Sequence, residues 1–458
     1  MLKKDNLKQF SCELIFPEDT KYDASRQVFY GGIDKHPVLI VKAKSDSDVI
    51  ESIKLAVENN LELAIKSGGH SFAGYSSSEG GIVLDLRQFN KIDINEKDKT
   101  VWVGTGVTAG ELTTELDKYN LAIGFGDTGS VGIGGITLGG GVGYLVRKFG
   151  LAIDNLIAAK IVTAKGEVLE IDSENDSDLF WAIRGGGGNF GVVTNFKFKL
   201  HTLSDVYGGM LLLPAESSVL YEFIKLAENA PEDLSGIVNV MPTFPMPFVP
   251  KEFHGKLSMM ALMLYAGDPK EGEKVLAPFR ALAKPIADQL KAMRYKEMYP
   301  PEDPTYHPLA VSETMFVSNF DMSPASMIIE GLNSIDAPMR AVQLRVLGGA
   351  FSRVPVEATA FAHRKEKMMA NVAAFYTTEE EKLERQQWVK NISQKLKQDN
   401  NAVYVNFLGP DDSDRIKDAY PKEIFDKLVK VKNTYDPENL FRLNYNIKAC
   451  MVSIDKHN

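Results

Sequence analysis

Seven histidines are spread along the chain, at 36, 70, 201, 254, 307, 363 and 457. No two of them stand at metal-ligand spacing, and neither HExxH nor CxxC occurs, so no metal site is expected. His70 differs from the others by its neighbours. It lies inside SGGHS (67–71), a glycine loop directly after a strand-like run, where its ring would face whatever the loop cradles. Two more glycine-rich segments follow, GDTGSVGIGGITLGGGVGY (126–144) and RGGGGNFG (184–191). Glycine lets the main chain approach a ligand closely, and successive exposed N–H groups make a concave anion site. Three such segments in one region fit a long ligand with a pyrophosphate in its middle. Each by itself would also serve as an ordinary tight turn.

Other motifs point elsewhere and are weaker. GTGVTAG (104–110) follows a strand and precedes a helix, but its spacing is GxGxxxG. No acidic residue ends a following strand about 20 residues later, as a ribose-binding residue would. A helix-start turn is the better account of it. No GxxxxGK[ST] is present, so P-loop phosphoryl transfer is not expected.

The elements that must position these residues are short. PVLIVKA (37–43) reads as a buried strand. Ser45 or Asp46 then caps a helix with Val49, Ile53, Ala56 and Val57 on one face. Strands are expected at 62–66, 81–86 and 100–106, with a helix over 110–119. Residues 160–171 read as a β-hairpin turning at Lys165-Gly166, and 178–200 as a helix, a glycine turn and a long strand. Beyond Leu203, residues 206–213 and 257–266 are strand-like, with longer helices between and after. Prolines cluster at 242–250 and 300–308, in surface loops or a lid. Thr378 and Glu381 predict a capping box opening a helix over 378–397. A last helix covers about 421–433.

The chain has 458 residues, 44% hydrophobic and 25% charged, ordinary for a globular protein of roughly two or three domains. A formal net charge of -9 argues against a general nucleic-acid partner. No apolar run approaches the ~20 residues that cross a bilayer. Two cysteines, Cys12 and Cys450, make no disulfide framework, and with no signal peptide at the start the expected setting is cytoplasmic.

Four segments together carry a resemblance: IKSGGHSFAGYSSSEGGIVLDLRQFNKI (65–92), VGIGGITLGGGVGYLVRKFGLAIDNL (131–156), LFWAIRGGGGNFGVVTNFKFKL (179–200) and KNTYDPENLFRLNYNI (432–447). In order and spacing the chain resembles the berberine-bridge-enzyme-like FAD-linked oxidases of the vanillyl-alcohol-oxidase superfamily. The resemblance implies an α+β fold. A two-lobed PCMH-type FAD-binding domain would span 1–205. An α+β substrate domain with an antiparallel sheet covered by helices would span 206–420, and a C-terminal segment, 421–458, would return to cover the flavin.

It also implies residue roles. The histidine of SGGH, His70, would bond covalently to the 8α-carbon of FAD. Ser67, Gly68, Gly69, Ser71, Thr128, Val131, Gly132, Gly134, Gly135, Gly141, Val193, Asn444 and Asn446 would line the cofactor. Many members carry a second, cysteinyl bond to the flavin. Thr128 stands in that place here and has no thiolate, so attachment through His70 alone is expected. Val131 lies where valine goes with oxidases and bulkier leucine with dehydrogenases. The family strand matching AVQLRVLGGAFSRV (341–354) carries substrate-facing side chains. Alternation puts Gln343, Arg345 and Leu347 on one face. Arg345 could bind a substrate carboxylate, stabilise a reduced flavin, or serve as an ion-pair partner. Tyr445 is the leading base or orienting group. VYVNFLG (403–409) resembles a further active-site strand and offers Tyr404 and Asn406 to substrate. The implied activity is oxidation of a small organic molecule at an alcohol or amine carbon, with molecular oxygen reduced to hydrogen peroxide. The alternatives are a flavin dehydrogenase with another acceptor and a flavin-loaded binding protein.

Overall fold

A computed structural model of the chain describes residues 7–449. Cys450 and His457 lie outside the described residues.

The first sheet orders its strands Glu13–Ile15, Leu39–Lys42, Ile82–Asp85, Leu63–Lys66. The last three run parallel, and Glu13–Ile15 joins antiparallel. Ile82–Asp85 is fully buried, as a strand covered on both faces must be. Helix Asp46–Glu58 covers it, with the Ser45 hydroxyl accepting from the Asp48 N–H. Val49, Ile53 and Ala56 are buried as expected, but Val57 is 59% exposed. The buried arc is rotated instead toward Ser52 and Leu55.

The second sheet is antiparallel, ordered Ile92–Asn95, Thr100–Gly104, Val192–Lys199, Leu156–Val162, Val168–Asp172. The expected hairpin is here, with Gly166 in the left-handed region its turn requires (φ 79°). GTGVTAG opens helix Ala109–Asp117 through a capping box of Thr108 and Glu111, the helix-start role anticipated for it.

The third sheet collects strands between Asp205 and Phe375, all antiparallel. Its order is Ala287–Asp288, Asp205–Pro214, Leu257–Tyr265, Leu234–Pro242, Arg340–Val346, Met368–Phe375, Ala310–Phe316, with Lys291–Arg294 also paired to Asp205–Pro214. Helices Ser217–Asn229, Met322–Asn333 and Glu379–Leu396 bury their apolar stripes in one core with these strands. Helix Glu379–Leu396 carries the predicted Thr378/Glu381 capping box. The fold is therefore α+β.

The chain then comes back. Val403, Val405 and Leu408 lie in the core of the second sheet, together with Leu428 of helix Lys422–Tyr435 and Ile447. No helix among the described residues is long and apolar enough to cross a membrane.

Candidate active site

His70 sits where two glycine loops meet backbone to backbone. A Cβ on Gly68 would lie 2.2 Å from the Gly132 nitrogen, so neither position admits a side chain. The Ser67 hydroxyl ties the same loops, donating to the Thr105 carbonyl (2.6 Å) and accepting from the Gly134 N–H (3.3 Å). Ala109 N–H donates to the Val131 carbonyl at 2.9 Å and locks the second loop. Gly69, at φ 77°, turns the first loop, and its carbonyl accepts from Phe29 N–H. Buried Lys66 donates to the Ser25 and Gln27 carbonyls and fixes the chain that presents Phe29. The Phe29 ring stacks on His70 with centroids 4.2 Å apart. Burial pushes the His70 pKa down to about 4. The ring is therefore neutral at pH 7 and carries an unprotonated nitrogen, the form a nucleophile needs. Ser71 is used locally, its hydroxyl accepting from Tyr75 N–H. The Thr128 hydroxyl lies 3.4 Å from an Asp127 carboxylate oxygen.

Beyond the contact between the loops the backbone opens. A Cβ on Gly135 or on Gly188 would meet nothing within 4 Å. The returning segment faces this opening. Asn444 donates to the Gly188 carbonyl (3.2 Å), while Asn189 donates to the Tyr445 carbonyl (3.3 Å) and accepts from Ile447 N–H (2.9 Å). A wholly buried Lys432–Asp436 pair at 2.6 Å fastens it, with Lys432 also donating to the Asn189 and Phe441 carbonyls. The amide oxygens of Asn444 and Asn446 are buried without a partner. An unmade buried hydrogen bond costs about 1–3 kcal/mol, so these acceptors suit a ligand with N–H or O–H groups. An open main-chain cradle edged by such acceptors fits a dinucleotide-sized cofactor. Val193 lies in the core, 4% exposed, with its carbonyl taken by the Thr105 hydroxyl, so it supports the loops from behind.

On the third sheet, Gln343 and Arg345 share a face of strand Arg340–Val346, as alternation required. Arg345 is fully engaged. Nη2 donates to Asp127 (2.6 Å) and to the Gln343 side-chain oxygen (2.8 Å), Nε also donates to Gln343 (3.1 Å), and Nη1 donates to the Val142 carbonyl (3.2 Å). Gln343 passes the chain on to Asn239 at 2.9 Å. Of the three readings of Arg345, the ion-pair partner is the one seen here, and it joins the third sheet to the Thr128 segment. The strand stops at Val346. Gly348 and Gly349 turn it with positive φ, and residues 350–353 form a helical turn, so Leu347 falls past the strand into an apolar core.

VYVNFLG is likewise not a strand. Val405–Phe407 is a short 3-10 turn. The Tyr404 oxygen accepts from the Gly141 N–H and from Asn406, both at 2.9 Å, and Asn406 also donates to the Ile136 carbonyl. Burial raises the Tyr404 pKa, and the two donors and the Arg345 charge act against that rise. The Tyr445 hydroxyl donates to the Leu408 and Gly409 carbonyls, its ring meets Tyr75 edge-on, and burial drives its pKa well up.

Asp127, Ser130, Asn239 and Glu302 belong to the site without having been singled out. The first two lie within a quoted glycine segment. Glu302 comes from the second proline cluster, 172 residues from Ser130, and no local signal could join them.

Two families match the chain: an FAD binding domain over residues 37–172 and the berberine and berberine-like family over 403–448. An FAD-linked oxidoreductase of Dictyostelium discoideum is 31% identical over 90% of this chain and 89% of its own. The chain belongs to the berberine-bridge-enzyme-like FAD-linked oxidoreductases. (R)-6-hydroxynicotine oxidase of Paenarthrobacter nicotinovorans is 28% identical over 95% of this chain and 96% of its own. The crystal structure of 6-hydroxy-D-nicotine oxidase from Arthrobacter nicotinovorans superposes with a TM-score of 0.85 at 26% identity, covering 96% of this chain and 98% of that one. The enzyme is thus an FAD-binding oxidoreductase.

Proposed function

We propose that the protein is an oxidase that holds FAD through a single covalent bond to His70, oxidises a small organic substrate at an alcohol or amine carbon, and uses molecular oxygen as acceptor. The observation that carries this reading is the neutral, Phe29-stacked His70 at the junction of two loops that admit no side chains. Thr128 in place of a cysteine leaves that bond without a second one. When bound, FAD supplies the two-electron acceptor for the substrate C–H and returns the pair to oxygen.

The chain's own residues do the rest. Gly135 and Gly188 leave room for the cofactor, and the amide oxygens of Asn444 and Asn446 receive its donors. Arg345 and Gln343, held by Asp127 and Asn239, form the polar wall that orients substrate. Tyr404 takes the place first given to Tyr445 as the group that holds the substrate proton. Its oxygen accepts from the Gly141 N–H and from Asn406, which offset part of the rise in pKa that burial imposes. Val131 leaves the small side chain that oxygen access requires. The oxidase activity named for the nicotine-oxidising relatives supports the same class of reaction.

Intact mass after acid denaturation tests the attachment: wild type is expected to gain the mass of one FAD, and His70→Ala to lose it. Hydrogen peroxide formed one-to-one with product, across a panel of alcohols, amines and sugars, tests the acceptor. Turnover that requires a quinone and yields no peroxide would instead make the enzyme a dehydrogenase.

A further inference from the structure

The proline-rich segment 300–308 reaches two neighbours of His70, the second glycine loop and Phe29. Glu302 reaches the second glycine loop, where one carboxylate oxygen accepts from the Gly129 N–H (2.8 Å) and the Ser130 N–H (3.1 Å). The other oxygen accepts from the Ser130 hydroxyl at 2.5 Å. That hydroxyl lies 3.1 Å from Nε2 of His70. Farther along, His307 Nδ1 lies 3.1 Å from the Phe29 carbonyl, and the Pro308 carbonyl accepts from Gly31 N–H. Phe29, which stacks on His70, is thereby held from the same segment.

The polarity of this chain is fixed by chemistry. A carboxylate only accepts, so the Ser130 proton points to Glu302, and the serine lone pair points to His70. Nε2 then carries the imidazole proton, and Nδ1 carries the free lone pair. We propose that Ser130 and Glu302 are a proton relay for covalent attachment: they set the tautomer in which Nδ1 is the nucleophile and take the Nε2 proton as the bond forms. This rests on the His70 attachment proposed above and adds the residues that make it proceed.

A bond forms between Nδ1 and the 8α-carbon of FAD, and one C–H bond of the 8α-methyl breaks. One proton leaves from that carbon and one from Nε2, the latter through Ser130 to Glu302, which is exposed and can pass it to water. The electron pair of the broken C–H bond goes to the isoalloxazine and from there to molecular oxygen, which with two protons leaves as hydrogen peroxide. The need for a relay follows from the surroundings of the ring. Burial opposes a positive charge on His70, and alkylation at Nδ1 would leave a cation unless the second proton departs.

Three variants test the relay. Ser130→Ala removes the hydroxyl and Ser130→Thr keeps it. Glu302→Gln keeps an acceptor for the two N–H groups but turns a donor toward Ser130, which reverses the hydrogen bonds up to His70. The readout is the fraction of protein carrying FAD in intact mass spectra, and its growth with time when flavin-poor protein is given FAD in air. Ser130→Ala and Glu302→Gln are expected to attach FAD at least tenfold more slowly than wild type while still quenching the fluorescence of added FAD. Ser130→Thr should attach it at near wild-type rate. Attachment at wild-type rate in Ser130→Ala and Glu302→Gln would overturn the relay, as would loss of non-covalent FAD binding in both, which would make the pair structural. A wild type with no covalent flavin would bring down the His70 reading itself, and the relay with it.

Discussion

The loops around His70 and the third sheet build the two sides of the candidate site in opposite ways. Around His70 the site is mostly main chain: glycine loops in contact at 67–70 and 130–134, an open backbone at Gly135 and Gly188, and single side chains at fixed places. Across from it the site is side chains on a sheet, Asn239, Gln343 and Arg345, completed by Asp127 from the second glycine segment. A backbone-built surface depends on residues that must be glycine, and so constrains the sequence position by position. A side-chain network depends only on which partner happens to face which, so many sequences can supply it.

The comparison can be broken first at its strongest point. His70→Ala is expected to abolish covalent flavin and to lower kcat by at least about 100-fold, because the tether both orients the cofactor and tunes it. Intact mass and a peroxide-coupled assay measure both, and retained covalent FAD would refute the tether.

The next effect separates packing from binding within the backbone-built half. Gly68→Ala drives a Cβ into the Gly132 backbone and should cost about 2–4 kcal/mol of stability, as strained close contacts do. Gly188→Ala meets open space, so its Tm should stay near wild type while FAD binding weakens. Equal Tm values for the two variants would remove the distinction.

On the side-chain half, Arg345→Ala leaves Asp127 without its cation and should lower stability by about 3 kcal/mol or more. Asp127→Asn should produce a smaller loss together with a raised KM. Tyr404→Phe is expected to reduce kcat at least tenfold, whereas Tyr445→Phe should mainly lower stability, by about 1 kcal/mol for its hydrogen bond. The reverse order of the two tyrosines would restore Tyr445 as the base.

The smallest effect concerns a histidine outside the site. His201 stacks on Phe149 at 3.9 Å and bonds Asn155 through Nε2. Burial, with the Lys199, Lys148 and Lys99 charges, lowers its pKa from 6.5 to about 4. Between those values the unfolded chain binds the proton and the folded chain does not, so stability rises with pH across that window and falls as pH drops through it. His201→Gln should flatten the Tm change between pH 6.5 and pH 4. An unchanged slope would show that His201 is protonated in the fold.

The amino-acid sequence alone determined the glycine loops around His70. SGGHS, the glycine run over 126–144 and RGGGGNFG specify loops only a glycine-rich backbone can make, and the Thr378/Glu381 cap and the hairpin at Gly166 followed local rules that hold in the fold. Several assignments needed the third dimension. Whether Arg345 meets a substrate or an aspartate, whether the Tyr445 hydroxyl is free or bound to carbonyls, and whether 403–409 is a strand or a turn all depended on partners far away in the chain. Glu302 at Ser130 is the clearest case, since pairing across 172 residues leaves no trace in local pattern. Periodicity and turn chemistry act between near neighbours. The direction a buried side chain takes is decided by the hydrogen bonds and packing of whatever the fold brings beside it.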